Sequence, residues 1–432
     1  MEGFLLNCNK EFMDKYILAI DAGTTSSRSI LFDKNANPIE IAQYEFNQFF
    51  PNEGWVEHDP LEIWNTQLKA IREVIQKSKI DPKNIDSIGI TNQRETTVIW
   101  NKDTGQPVYN AIVWQDRRTA SFCDKLKEEN KSELIQNKTG LVIDAYFSGT
   151  KIKWILDSNS EIREQADKGQ LIFGTIDTWL IWNLSKGKYH LTDPSNASRT
   201  LLYNIKDDMW DDELLEIFDV PRNILPKVVD SSAISANIDE EILGSKIPIA
   251  GIAGDQQAAL FGQLCINPGD IKNTYGTGCF CMMNTGKSAV KSKNKMLSTI
   301  AWRINGEVTY ALEGSVFVAG ALIQWLRDKL AIIKDAPEVE NLANTVKDNG
   351  GVTFIPALSG LAAPYWDPYA QGTIFGITRG TENGHIARAA LESIALRTRD
   401  IIIEMQKDAD INFTNLKVDG GASNNNLLMQ IQ

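Results

Sequence analysis

Two short apolar runs, one in each half of the chain, end in a turn of glycine and threonine and then resume as strands. In the first half Tyr16–Ile20 runs into Asp21-Ala-Gly-Thr-Thr-Ser-Ser-Arg28. Strands over Arg28–Asp33 and Ile39–Tyr44 follow, joined by the turn residues 34–38. In the second half Ile271–Tyr275 leads into Gly276-Thr-Gly278 and a strand over Cys279–Met283. After the first meander the sequence encodes a helix. Asp59 is a good N-cap, Pro60 suits the first turn, and Glu62 completes a capping-box-like D-x-x-E. Leu61, Trp64, Leu68, Ile71 and Ile75 recur at helical spacing as one apolar face, until Asp81-Pro82 stops the helix. Ile85–Ile90 then enters Thr91-Asn-Gln-Arg-Glu95, and Pro248–Ala253 enters Gly254-Asp255-Gln256-Gln257. Strands alternating with helices predict an α/β protein. The recurrence of strand, acid and Gly/Thr turn reads as a faint internal duplication, with a boundary near residue 250 after the polar stretch 227–247.

At 432 residues the chain has room for two or three domains of about 150 residues each. Its 44 Lys+Arg against 56 Asp+Glu leave a net charge of −12. That balance argues against a nucleic-acid partner, which needs a basic face. A single nucleotide is not excluded, because a few backbone N–H groups and one Mg²⁺ can hold it. No apolar run approaches the roughly 18 residues that span a bilayer, so no membrane insertion is expected. Residues 1–15 read as a polar, patternless leader without the features of a signal peptide, either a disordered extension or a start-site artefact, because Met13 would also serve as a beginning, and a cytoplasmic location is expected. Cys8, Cys123, Cys265, Cys279 and Cys281 form no C-x-x-C pair and read as buried free thiols. With three histidines in the whole chain, a zinc site is not expected.

The familiar phosphate motifs fail. Asn284-Thr-Gly-Lys287-Ser288 ends like a P-loop, and Gly276-Thr-Gly278 begins like a dinucleotide fingerprint, but in each a required glycine falls at Cys281. Asp21-Ala-Gly-Thr-Thr-Ser26 is more informative. Its backbone N–H groups and hydroxyls could converge on phosphate oxygens, and the Asp on hydrated Mg²⁺; equally it is a surface hairpin with a structural Asp. Two such turns in one chain suit a phosphate chain clamped from both halves. Asp255 could accept a hydroxyl proton or simply start a helix. Arg94-Glu95 could grip vicinal hydroxyls, Arg donating and Glu accepting, or form an ordinary surface ion pair. Trp114 and Phe280 read locally as core aromatics, and His58, His190 and His385 show no catalytic pattern.

The strings Asp21-Ala-Gly-Thr-Thr-Ser-Ser-Arg28, Gly54-Trp-Val-Glu-His-Asp-Pro60, Ile90-Thr-Asn-Gln-Arg-Glu-Thr-Thr97, Tyr146-Phe-Ser-Gly-Thr-Lys151, Gly251-Ile-Ala-Gly-Asp-Gln-Gln257, Asn273-Thr-Tyr-Gly-Thr-Gly278 and Val418-Asp-Gly-Gly-Ala422 occur in order. Together they resemble the FGGY carbohydrate kinases, in the branch that acts on glycerol. The resemblance implies two ribonuclease-H-like domains of the actin/sugar-kinase/heat-shock-chaperone type around an active-site cleft. Their expected spans are residues 16–250, with glycerol and the first phosphate loop, and 251–432, with the general base and the nucleotide. It implies ATP-dependent phosphorylation of glycerol to sn-glycerol 3-phosphate, with ATP and Mg²⁺, and a homodimer or homotetramer. Asp255 corresponds to the general base. Arg94, Glu95, Tyr146, Asp255, Gln256, Trp114 and Phe280 correspond to the glycerol set. Thr24, Thr25, Ser26, Arg28, Thr277, Gly320, Gln324, Gly421 and Asn425 correspond to nucleotide positions, and Asp21 to a metal position acting through water.

The family pattern continues beyond Val418-Asp-Gly-Gly-Ala422, whereas this sequence ends at Gln432. That predicts a C-terminal domain truncated at its end and loosened. The alternatives this leaves are a truncated protein that binds without turnover, and a kinase of another small polyol. The stretch 227–247 lacks the histidine and the glycine-rich loop through which some bacterial relatives are regulated, so such regulation is not expected.

Overall fold

The computed structural model describes residues 15–367 and 369–432; Cys8 and residues 1–14 of the expected leader lie outside them. The chain divides into two compact units. The first comprises residues up to Arg118, Lys151–Asn196 and Pro221–Asp255, and the second comprises Thr119–Thr150, Ala197–Val220 and Gln256–Gln432.

The first unit is built on strands β1 (Tyr16–Ala22), β2 (Ser26–Phe32), β3 (Pro38–Glu45), β4 (Ile85–Asn92), β5 (Ser232–Asn237) and β6 (Pro248–Gly254). Their order in the sheet is β5-β6-β4-β1-β2-β3. β1, β2 and β3 form an antiparallel meander, while β4 runs parallel to both β1 and β6. Leu18, Ile20 and Ala22 alternate into the core as a strand's period of two requires. They meet Ile88, Ile90, Ile249 and Ile252 from the parallel strands. Two helices cover this core, α1 (Pro60–Ser78) and α2 (Ile176–Leu184). Nearly every residue of α2 is buried, Asp177 and Thr178 among them.

α1 starts as expected, with the Asp59 carboxylate accepting the Leu61 N–H at 2.8 Å. The reciprocal half of the capping box does not form, because Glu62 reaches instead to the backbone and side chain of Asn47. The buried stripe also differs from the expected one. It runs through Ile63, Gln67, Ala70, Ile71 and Val74, and Leu61, Trp64 and Ile75 flank it. Gln67 earns a place inside because its amide donates to the Arg28 carbonyl and to Ser29 Oγ on β2.

The second unit repeats the plan. Strands β7 (Ile271–Tyr275), β8 (Cys279–Gly286), β9 (Leu297–Ile304), β10 (Glu307–Val316) and β11 (Leu416–Asp419) lie in the order β11-β7-β8-β10-β9. The pairs β7–β8, β8–β10 and β10–β9 are antiparallel, and β11 runs parallel to β7. Helices α3 (Asp255–Gly262), α4 (Gly320–Asp328), α5 (Asn383–Ala409) and α6 (Asn426–Ile431) complete the framework. The 27-residue α5 packs across β8 and β10, with Leu391, Ile394, Ile401 and Met405 buried against the sheet. Cys279 and Cys281 point into the same core, and burial pushes the Cys279 thiol up to about 12. Cys123, Cys265, Cys279 and Cys281 are all buried.

Two early segments pack with this second unit through specific contacts. Arg199 and Glu313 are both fully buried and joined at 2.9 Å. The hydroxyls of Ser198 and Thr299 meet at 3.0 Å, and Ser298 N–H donates to the Gly140 carbonyl.

Candidate active site

Asn92 and Gly254 are partners on the parallel strands β4 and β6, so the residues that follow them leave the sheet side by side. In open α/β sheets this carboxyl end is where ligands bind. Arg94 Nε lies 3.3 Å from Asp255 Oδ1 and 3.9 Å from Glu95 Oε1. The side chains of Arg94 and Glu95 are each only 2% exposed, which overturns the reading of a surface ion pair. Asp255, the first residue of α3, keeps 36% of its side chain accessible. An arginine taken out of water needs carboxylates around it, and here two are supplied. Glu95 also sits at φ +60°, a costly conformation for a residue with a side chain, and Thr96 N–H closes the bend on the Arg94 carbonyl.

Trp114 and Phe280 are both partly exposed and so are not core aromatics. Trp114 Nε1 donates to Thr24 Oγ1 at 3.1 Å, linking it to the first Gly/Thr turn. Asp116, nearby, accepts the Val56 N–H and braces the Arg118 guanidinium, which stacks 3.8 Å from the Trp55 ring. That is the structural use of the Gly54–Pro60 motif. Across the first hairpin Asp21 pairs with Arg28, whose Nη2 lies 2.6 Å from Oδ2. Thr25 and Arg28 are exposed, and Thr24, Ser26 and Asp21 partly so.

In the second unit the turn after β7 is gripped by the start of α4. Ala319 and Ala321 N–H groups both donate to the Thr277 carbonyl, and Gly320 N–H to that of Gly276. A Cβ at Gly320 would lie 2.5 Å from the Gly276 oxygen, so only glycine permits this approach. Thr277, Gly320, Gln324, Gly421 and Asn425 line a single cavity of about 410 Å³, with apolar walls from Ile323, Val339 and Leu428. All five second-unit nucleotide candidates are thus brought together. Tyr146 is buried edge-on against Phe147 and faces the Arg199 guanidinium. Gln256 is buried and accepts a hydrogen bond from Lys272.

Lys272, Arg199 and the Thr192–Asn196 segment carry buried polar groups around these residues without any mark in the sequence. Lys272 sits in a strand of ordinary pattern, and Asp193-Pro-Ser-Asn196 reads as a plain turn. Some of their partners are remote in sequence, Glu313 for Arg199 and Asn92 for Asn196.

The N-terminal domain model of the FGGY family of carbohydrate kinases matches residues 16–262, and the C-terminal domain model matches residues 271–432. The chain belongs to the FGGY carbohydrate kinases. The first unit's antiparallel meander with parallel β4 and β6, and the second unit's antiparallel strands with parallel β11, are the actin-like, ribonuclease-H-like architecture of this family. Among curated FGGY kinases, glycerol kinase 2 of Thermotoga maritima is 60% identical over 418 residues, covering 97% of this chain and 84% of its own length. Glycerol kinase 1 of Clostridium tetani is 59% identical over 420 residues, with the same coverage of 97% and 84%. The crystal structure of Plasmodium falciparum glycerol kinase with ADP superposes with a TM-score of 0.89 at 38% identity, covering 97% of this chain and 84% of that one. The fold extends to gluconate kinase of Lactobacillus acidophilus, with a TM-score of 0.86 at 24% identity and coverage of 97% and 83%. Among the described residues no helix is long and apolar enough to cross a membrane.

Proposed function

We propose that this chain transfers the γ-phosphoryl group of ATP to a terminal hydroxyl of glycerol, giving sn-glycerol 3-phosphate and ADP. The observation that carries the reading is the Arg94–Asp255 pair with Glu95 beside it, at the carboxyl ends of adjacent parallel strands. The names of the bacterial relatives, at about 60% identity, support glycerol as the acceptor. Arg94 donates to vicinal hydroxyls and Glu95 accepts from them. Asp255 accepts the proton of the attacking hydroxyl; its oxygen bonds to the γ-phosphorus as the bond to the β,γ-bridging oxygen breaks. Trp114 and Phe280 flank the carbon chain, and Tyr146 and Gln256 add hydrogen bonds.

The cavity lined by Thr277, Gly320, Gln324, Gly421 and Asn425 takes the nucleoside of ATP, its apolar walls suiting a base. The Plasmodium relative was solved with ADP, which supports a nucleotide there. Thr24, Thr25, Ser26 and Arg28 serve the phosphates. Mg²⁺ fits these residues as a hydrated ion. No three metal-ligating side chains cluster among the described residues, and Asp21 is a partly exposed carboxylate whose Oδ2 already carries Arg28. Asp21 would hold such an ion through water, where it would neutralise charge on the phosphates.

A coupled ADP-release assay with MgATP and glycerol tests the reading, with other polyols, gluconate and xylulose as controls. Glycerol-dependent turnover is expected, and Asp255→Asn should lower kcat by about a hundred- to ten-thousand-fold while the circular dichroism spectrum is kept. A folded chain that releases no ADP with glycerol refutes it, and faster turnover of another polyol reassigns the acceptor.

A further inference from the structure

The hydrogen-bonded ladder between β4 and β6 ends at Asn92 and Gly254, two residues before Arg94 and one before Asp255. Beyond that point the two strand ends are held by a different device. Asp193 is fully buried and follows the short strand Leu191–Thr192. Its carboxylate accepts from Ser195 Oγ (2.8 Å), Asn196 Nδ2 (3.0 Å) and Ser231 Oγ (2.6 Å). It also accepts the backbone N–H groups of Ser195 and Asn196.

Those donors pass the constraint onward. Ser195 Oγ accepts the Gly254 N–H at 2.9 Å, from the residue that precedes Asp255. The amides of Asn196 and Asn92 bond reciprocally at 3.0 and 3.2 Å. Asn92 Nδ2 also donates to the Gln93 carbonyl at 2.9 Å, at the peptide that leads into Arg94. The Ser231 carbonyl accepts the Ile252 N–H from within β6. One carboxylate is therefore linked, through Ser195 to the Gly254 backbone and through Asn196 and Asn92 in turn to the Gln93 backbone, to both sides of the Arg94–Asp255 pair.

Capping the one-turn helix Pro194–Ala197 would need only the two backbone bonds. The links to Gly254, Asn92 and Ser231 exceed that need, and a carboxylate taken fully out of water is costly unless its acceptors are filled. We infer that Asp193, acting through Ser195 and Asn196, is a positioning residue that sets where Asp255 sits relative to Arg94. This rests on the reading of Asp255 as the base.

The test uses the full chain, its Ser195→Ala and Asp193→Asn variants, and Asp255→Asn alongside. Displacing a base by under 1 Å is expected to cost about ten- to a hundred-fold in rate. Ser195→Ala should therefore lose about that much in kcat, with KM for ATP within about twofold and a cooperative thermal transition retained. Its crystal structure should show Gly254–Asp255 moved by about 0.5 Å or more from Arg94. Asp193→Asn should show the same split between kcat and KM; should it fail to fold, Ser195→Ala decides alone. Unchanged kcat in folded Ser195→Ala, with Asp255→Asn inactive, overturns the inference and leaves the proposed base standing. Full activity in Asp255→Asn removes the base instead. The Ser195→Ala structure then decides, an unmoved Asp255 overturning the positioning role and a displaced one supporting it.

Discussion

Burial changes what the same residue types mean along this chain. Arg94 and Glu95 are adjacent charges that would be unremarkable on a surface, yet both are nearly inaccessible and share the space with Asp255. His58 is a second case. It is fully buried edge-on against Phe46, and neither ring nitrogen has a partner among the described residues. Burial holds its pKa down at about 4, against 6.5 for the free side chain. A depressed base contributes stability that is complete above pH 6.5 and is lost as pH falls through about 4. Asp177 acts in the opposite sense: burial raises its carboxyl to about 7, so its contribution is lost as pH rises toward that value. The two slopes overlap, and only a difference isolates His58. Urea unfolding of wild type and His58→Phe should show the wild type losing on the order of 3 kcal/mol relative to the variant between pH 7 and 4. A constant difference across that range would dismiss the assignment.

At the scale of elements, the paired hairpins are the recurring unit. Gly23 N–H bonds the Ser26 carbonyl in one, and Gly276 N–H bonds that of Gly278 in the other. The second is locked by α4 through the close approach at Gly320. Gly320→Ala must push the helix start from the turn. An overpacking cost of about 1–3 kcal/mol is expected, with a raised KM for ATP and an unchanged KM for glycerol. Thermal melts and steady-state kinetics would check both, and an unaltered KM for ATP would detach the turn from the nucleotide. Legibility also varied by element. Strand positions and the Asp59 cap were readable because alternation and capping are local. The inward face of α1 was not, since Gln67 is buried by its bonds to β2, a partner that helical spacing does not reveal.

For the whole molecule, unit membership is settled by distant contacts. Segment Ala197–Val220 belongs with the second unit, where Arg199 meets Glu313 across 114 positions of sequence. Breaking a buried pair by removing one partner costs about 3–5 kcal/mol. Glu313→Ala should therefore lower stability by that amount in a denaturant titration, far more than truncating the exposed pair Lys287–Glu307 by Glu307→Ala. Equal effects would mean that the pair carries no special weight. The sequence alone determined the α/β class, the duplicated strand–turn–strand theme and the family, because these are written in local periodicity and in short ordered motifs. It also located Arg94, Glu95 and Asp255. The tertiary structure alone decided that these three form one cluster, that five separated nucleotide candidates share a cavity, and that the Asp193 carboxylate is tied through Ser195 to the backbone before Asp255. Those outcomes depend on desolvation and on hydrogen-bond partners brought together by the sheets, and neither quantity exists until the chain has folded.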